Sequence, residues 1–496
     1  MKMNLFKNKK IVSALLFGVI ITAGCKKTFD INHDPNNPSL EVGTPKIVFP
    51  VGVMSVAGVE GGDMALLGGI LGEYITQSAA AGQYKNIDQY DLKTTDFNAI
   101  YTTLFSYGLK NLQFVVDKSK ASQDWNFYLM GTVMKAYATA LLVDLYDKIP
   151  YTEALQGVGN LTPKFDDGYT IYKSLLASID TAFAKDFSAK SAIDLRATNE
   201  GNVDLVFGGD INKWKKFANT LELKLYLRMI NAKPAEAQAG VQALYARNAV
   251  FLTEDAKITG FSNAPSLSNP LYEQNIRQLN TDANLVASTT FVSFLKANND
   301  PRLADYFSAN TTSLNQGDFI NSTAAALAAT KLKQSPTDPV VFISAAESYF
   351  LQAEARERYF AGAGAKQLYD IGVLAAFSAV GENGSSFIAP GGAYAYPSGT
   401  FDQNLAAIIT QKWASFPYGV HFIEGWLDRN RTGLPKSSPV YSTSPSYISG
   451  QFVVSKNSVL PAGEYPKRLV FPDAERSTNP NTPPQVPITT PVWWGL

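Results

Sequence analysis

A single cysteine, Cys25, sets the terms on which this chain can fold. With no second thiol, no disulfide can form within the chain. An exported form must therefore be held together by a large hydrophobic core. The residues before Cys25 predict export. Lys2, Lys7, Lys9 and Lys10 precede an apolar run over Ile11–Ile21, and Thr22-Ala23-Gly24 then leads into the thiol. This order is that of a secretory leader with a small-residue cleavage site. The apolar run is about half the ~20 residues a spanning helix needs. The cysteine stands where a bacterial lipoprotein is cut and acylated, although Thr22 occupies a position usually held by Leu, Val or Ile. We read 1–24 as a lipoprotein signal peptide, 25–40 as a lipid-anchored tether and 41–496 as one domain.

Cleavage before Cys25 leaves 472 residues, enough for one large or two intimate domains. The leader removes four lysines and no acid, so the mature chain carries a formal charge of −4. That balance gives no electrostatic case for nucleic acid or for an anionic membrane surface. No second segment reads as a bilayer span. Only His33 and His421 occur, too few for a His-rich metal site.

From about Met64 to Thr410 the dominant period is helical. Trp214, Phe217, Leu221 and Leu225 mark an amphipathic helix over 211–230, with Asp210 or Asn212 as its N-cap. The stretch Trp125–Tyr146 is apolar or small nearly all round, which places it inside a helical array. Helices over 341–360 and 366–380 are separated by Gly362-Ala363-Gly364. Such pairs predict a stacked helical-hairpin solenoid, an all-α-dominated fold with minor β content, although no clean repeat is visible. The segments 255–285, 308–340, 381–400 and 430–496 are rich in Gly, Ser, Asn, Thr and Pro. They predict a loop-rich second layer that carries recognition.

Catalytic and metal motifs are weak. Asp30, Asn32, Asp34, Asn36 and Glu41 have the spacing of a calcium loop. Pro35, however, stands where that loop needs a Gly, so the segment reads as an Asx- and Pro-rich tether. Glu347 and Glu354 lie seven apart on one helix face, about 10.5 Å along its axis. That separation is long for paired glycosidase carboxylates, and the neighbours are core residues, so buried acids paired with arginines are expected. His421-Phe-Ile-Glu424 lacks the second histidine of a zinc-protease helix. Arg429 and Arg431, beside Trp426, read as staples to buried carboxylates or as an anion site. No catalytic residue, metal or cofactor is assigned.

Ordered segments then resemble one family. Phe29-Asp-Ile-Asn32 with Asp34-Pro-Asn-Asn-Pro38 opens the series. Leu142-Val-Asp-Leu-Tyr-Asp-Lys-Ile-Pro-Tyr-Thr-Glu-Ala-Leu155 follows, with Asp144, Pro150, Tyr151 and Glu153 at its motif positions and Asp147 where the family has Gly. Next come Leu161–Asp166 with Ile171-Tyr172, and Phe207–Asn219 with Trp214 and Asn219. Asp300-Pro-Arg302, the helix with Glu347 and Glu354, Gln411-Lys-Trp413, and Arg431-Thr-Gly-Leu-Pro435 continue it. Arg468, Phe471-Pro472, Glu475 and Asn479 close it. Together these resemble the SusD/RagB family of outer-membrane nutrient-binding lipoproteins, in its SusD-like-2 branch. The resemblance implies a tetratricopeptide-like helical scaffold carrying a loop-rich ligand-binding layer, in a non-enzymatic protein that captures glycans or peptides at the outward face of the outer membrane. It implies a SusC-like TonB-dependent transporter as partner, and lipidation at Cys25. A lipid-anchored glycoside hydrolase is the alternative from another class. Sugars are held by ring stacking and by hydrogen bonds. Tyr84, Tyr90, Phe97 and Tyr101 are therefore candidate platforms, with Tyr272, Tyr394 and Tyr396 in loops as alternatives.

Overall fold

The computed structural model describes residues 43–188 and 203–496. Cys25, the tether and the Asp30–Glu41 segment lie outside the described residues. The longer helices are α1 (Pro45–Val59), α2 (Lys110–Ser122), α3 (Trp125–Tyr146), α4 (Gly168–Phe183) and α5 (Ile211–Arg228). They continue with α6 (Pro234–Ala246), α7 (Ala345–Tyr359), α8 (Ala365–Ser378), α9 (Phe401–Ser415) and α10 (Ile423–Thr432). Neighbours in this order pack on one another: α2 on α3, α3 on α4, α5 on α6, α7 on α8 and α9 on α10. This is the helical-hairpin solenoid that the periodicity predicts.

Local signals explain the helix boundaries. Helix α3 starts where Asp124 accepts from the Phe127 N–H at 3.3 Å. It runs buried on nearly every side and ends at Asp147, whose φ is +71°. Gly131 lets α2 approach: a Cβ there would stand 3.0 Å from Val115. In α5, Asp210 rather than Asn212 is the cap, accepting from Asn212 N at 3.0 Å. The expected helix over 341–360 begins later than its periodicity suggests. Val340–Ile343 is a strand paired antiparallel with Ala256–Ile258, and Ser344 caps α7 by accepting from Glu347 N at 3.0 Å. A run of β-branched and aromatic residues favours the extended form, and the serine then stops it. Two more two-stranded pairs, Ile75–Gln77 with Leu285–Ala287 and Lys148–Pro150 with Phe165–Asp167, complete the named β structure among the described residues.

One expectation is corrected. Helix α1 continues through a π-turn at Glu60–Met64 into Ala65–Leu71, and this 27-residue run is long and apolar enough to cross a bilayer. Here it is a core helix: Phe49, Val53, Val56, Leu67 and Ile70 are buried in the interior. Glu60, at its centre, bonds His421. A second correction concerns 430–496, which does more than coat the scaffold. Trp494 is fully buried, and its indole N–H donates to Asp144 at 2.7 Å.

Between the scaffold helices α5, α7, α9 and α10 lies a buried ionic lattice. Lys224 bridges Glu347 and Glu424 at 3.0 and 2.8 Å, and Arg228 holds Glu424 at 2.8 Å. Lys412 meets Asp428 at 2.9 Å. Arg431 grips Glu354. The expected arginine pairing holds for Glu354 but not for Glu347, whose partners are Lys224, Lys412 and His421. Burial raises the Glu347 carboxyl, but Lys224 and His421 outweigh it and hold the group at about 2. Both carboxylates are wholly enclosed, with no surface for a substrate.

Candidate functional site

A cleft of about 580 Å³ opens where three segments meet: the short helix Arg302–Tyr306, the stretch Leu332–Pro339 and the turn Pro417–Phe422. An adjoining hollow of about 550 Å³ shares Ile276, Asp282 and Gln334 with it and adds Tyr272 and Arg277. These volumes suit a small ligand.

Each wall is set by a local device. Asp300 receives Arg302 through Nε at 3.0 Å and Nη2 at 2.6 Å, both side chains fully buried. Tyr394 also donates to Asp300, at 2.6 Å. That clamp orients the next turn and presents Asp305 and Tyr306 to the cleft. On the opposite lip, Gly419 takes φ +66°, and a Cβ there would lie 2.2 Å from Val341. Only glycine satisfies both demands, and the turn it permits sets out Tyr418. Tyr418 Oη is held by Lys257 Nζ at 2.9 Å and donates to Asp255 at 3.3 Å. Asn269 caps the turn that carries Tyr272, accepting from Tyr272 N at 3.2 Å. The Arg277 guanidinium lies 5.5 Å from the Tyr272 ring.

Three polar atoms of this cleft lack a hydrogen-bond partner in the protein although they are shielded from bulk water: Asp305 Oδ2, Tyr306 Oη and Gln334 Oε1. Tyr306 is only 6 % exposed. Buried polar groups are nearly always satisfied, so three unmet groups at one cavity mark where a ligand or water completes the bonding. Burial pushes the Tyr306 phenol well up, against the nearby Arg302 charge, so it remains a neutral hydroxyl. Burial also raises Asp305, with the Glu382 charge adding to it. Asp338 is raised by burial, against the Ser335 N–H that it accepts at 2.7 Å.

The candidate platforms are only partly at this cleft. Tyr84, Tyr90 and Tyr101 are at most 5 % exposed and belong to the core. Tyr90 Oη accepts from Ser455 N at 3.2 Å, and Tyr101 packs edge-on to Tyr146 at 5.3 Å. Tyr394 and Tyr396 are likewise buried and spend their hydroxyls on Asp300 and Glu357. Rings packed this way offer no free face to a ligand, so the platform expectation passes from them to Tyr272, which borders the adjoining hollow. Phe97 is half-buried at a left-handed helix start, away from the cleft lining. Sequence reasoning missed Tyr306, Gln334, Tyr418 and Asp305. Asp300-Pro-Arg302 flags the first wall, but nothing local links it to residues 334 and 418.

The motif residues build the frame. Asp144 accepts from Trp494 and Tyr172 and pairs with Arg228 at 3.4 Å. Pro150 pairs with Phe165 in the small sheet, Tyr151 N donates to Asp166 at 3.0 Å, and Glu153 accepts from Lys164 N at 3.0 Å. Trp214 Nε1 donates to Asp204 at 2.8 Å, and Asn219 ties Val250 O at 2.9 Å. Trp413 stacks on Tyr74 and donates to Gly72 O at 2.9 Å. The Arg429 guanidinium lies 3.7 Å from the Tyr465 ring centre and donates to Ser437 at 2.9 Å. It staples its loop through a serine and a ring, whereas the expected pairing with a buried carboxylate is made by Arg431 with Glu354.

Fold and cleft together define a tetratricopeptide-like helical scaffold bearing a loop-built pocket. The chain belongs to the SusD-like family: the family model described as starch-binding and associating with the outer membrane matches residues 69–451. Similar solved structures span nearly the whole chain. One is a SusD homolog from Bacteroides uniformis, 23 % identical with TM-score 0.71, covering 93 % of this chain and 100 % of that one. Another is a chitin-binding SusD homolog from Flavobacterium johnsoniae, 22 % identical with TM-score 0.68, covering 92 % and 96 %. A third is a SusD-like protein from Bacteroides thetaiotaomicron, 20 % identical with TM-score 0.68, covering 91 % and 98 %. No curated protein matches this chain.

Proposed function

We propose that this chain is a glycan-binding lipoprotein of the outer membrane. It faces the cell exterior, is anchored by lipid on Cys25, and passes captured oligosaccharide to a SusC-like TonB-dependent transporter. The observation that carries the binding role is the convergence of Asp305 Oδ2, Tyr306 Oη and Gln334 Oε1, all unpartnered, on a cleft edged by Tyr418. Hydroxyls of a sugar are both donors and acceptors and can complete such a set, while its C–H faces lie on tyrosine rings. The family's description and the chitin-binding relative support the ligand class.

Calorimetry of the chain from residue 26 against starch, chitin and other oligosaccharides, with peptides alongside, tests this reading. Binding of one glycan class, weakened about tenfold by Tyr418→Ala, is expected. Binding of peptides alone, or turnover of any bound glycan, overturns it. Recovery of a transporter with the tagged protein from detergent-solubilised outer membranes tests the delivery role.

A further inference from the structure

The charge around the cleft is uneven. Asp305 and Asp338 line it, and Glu382 is close enough to Asp305 to raise it. None of the three forms a salt bridge among the described residues, whereas the cations nearby are committed. Lys333 donates its ammonium to Ala304 O at 2.6 Å. Arg302 is spent on Asp300, Arg277 on Glu273 at 2.9 Å, and Lys331 on Asp282. The cleft therefore sets three acids without a salt bridge against the single lining cation Lys333, whose charge, with that of Arg302, offsets only part of the effect on Asp305, and adds two unmet acceptor oxygens, on Asp305 and Gln334. The unmet hydroxyl of Tyr306, nine-tenths buried, points the same way.

We infer that the cleft selects glycans bearing a protonated amino group, with Asp305 receiving the ammonium and Gln334 Oε1 taking a second N–H or hydroxyl. The inference rests on the glycan-binding reading and names the sugar class. A neutral sugar would meet the hydrogen bonds but leave the acids uncompensated. A uronic acid would add a like charge and be disfavoured. An ammonium supplies three donors and the missing charge, and its hydrogen bond to a carboxylate is of the stronger, charge-assisted kind. The like charge of Glu382, which adds to burial in pushing Asp305 up, is offset by such a ligand.

The test is a calorimetric comparison of glucosamine oligomers, their N-acetylated counterparts and oligouronates of equal length on the whole chain from residue 26. Runs are made in buffer acidic enough to protonate the amine and again where it is neutral. The free-amine oligomer is expected to bind at least about tenfold tighter than the acetylated one in acid, and to lose that advantage where the amine is neutral. Asp305→Asn should remove the advantage, so that free-amine and acetylated oligomers bind alike whatever the loss in overall affinity. Glu382→Gln, at a half-exposed site, should reduce it if Asp305→Asn fails to fold. Equal binding of amine and acetylated forms, or a preference for uronates, overturns the inference and leaves the glycan reading standing. Failure of every sugar, with lysine-rich peptides binding instead, overturns both.

Discussion

Arg431 grips Glu354 with both ends of its guanidinium, Nη1 to Oε1 at 2.6 Å and Nη2 to Oε2 at 2.8 Å, and both side chains are enclosed. The pair joins α10 to α7 across 77 residues of sequence. Burial alone would raise the Glu354 carboxyl, but the Arg431 and Arg358 charges hold it far below its ordinary range. Arg431→Ala leaves the enclosed Glu354 carboxylate with Arg358 alone, at 2.7 Å from Oε1, and is expected to cost about 3 kcal/mol by urea denaturation. Arg431→Lys should recover only part of that, because an ammonium cannot reproduce the two parallel bonds. A loss below about 1 kcal/mol for the alanine variant would show the pair to be dispensable.

Stability should decline as the pH rises from neutral. Burial tends to lower the His421 pKa, but hydrogen bonds to Glu347 and Glu60 raise it from 6.5 to about 9. A pKa raised by folding contributes stability that is fully present below 6.5 and lost as the pH passes through 9. Glu73, pushed up to about 8 mainly by burial, has the same sign over the range from 4.5 to 8. Urea midpoints taken across this range should fall, with a His421 share on the order of 2 kcal/mol. His421→Gln should be less stable overall but show a shallower slope between 6.5 and 9. An unchanged slope would remove His421 from the account.

Gly68 is the point of closest approach between Ala65–Leu71 and the start of α10. A Cβ there would stand 2.3 Å from both N and Cα of Ile423. Backbone cannot yield as a flexible side-chain tip can. Gly68→Ala is therefore expected to cost about 3 kcal/mol, read as a lowered denaturation midpoint. A midpoint within error of the parent would show that the two elements are free to separate.

Tyr306→Phe separates stability from binding. Its hydroxyl has no partner in the protein, so removing it should leave stability unchanged or slightly higher. If a ligand completes that hydroxyl's bonding, affinity should fall by about 0.5–1.5 kcal/mol. Thermal melts and calorimetry on the same sample check both. Loss of stability with intact affinity would place the hydroxyl in the fold rather than in the site.

Cys25→Ser should release the protein from the membrane fraction and abolish labelling by radioactive fatty acid. Retention of the variant at the membrane would show that another element holds it there.

The scaffold was legible because its signals are local. Asp124 and Asp210 cap α3 and α5 through neighbours two or three residues away, and the near-uniform burial of Trp125–Tyr146 follows from composition alone. Residues 341–343 read as the start of a helix because a short apolar run has no diagnostic period, and the strand that pairs with them lies more than eighty residues upstream. The tyrosines at 84, 90, 101, 394 and 396 looked like platforms because a sequence records ring type and not burial. Tyr306, Gln334 and Tyr418 went unnoticed because each is unremarkable among its neighbours.

The sequence by itself determined the need for a disulfide-free core, the helical-hairpin scaffold and the family, all carried by short-range pattern and ordered motifs. Only the tertiary structure decided which acids pair with which cations, which rings are enclosed, and where the cleft opens. Those outcomes depend on loops far apart in sequence meeting over a shared surface. A hydroxyl or carboxylate becomes unpartnered only once every other group around it has been satisfied.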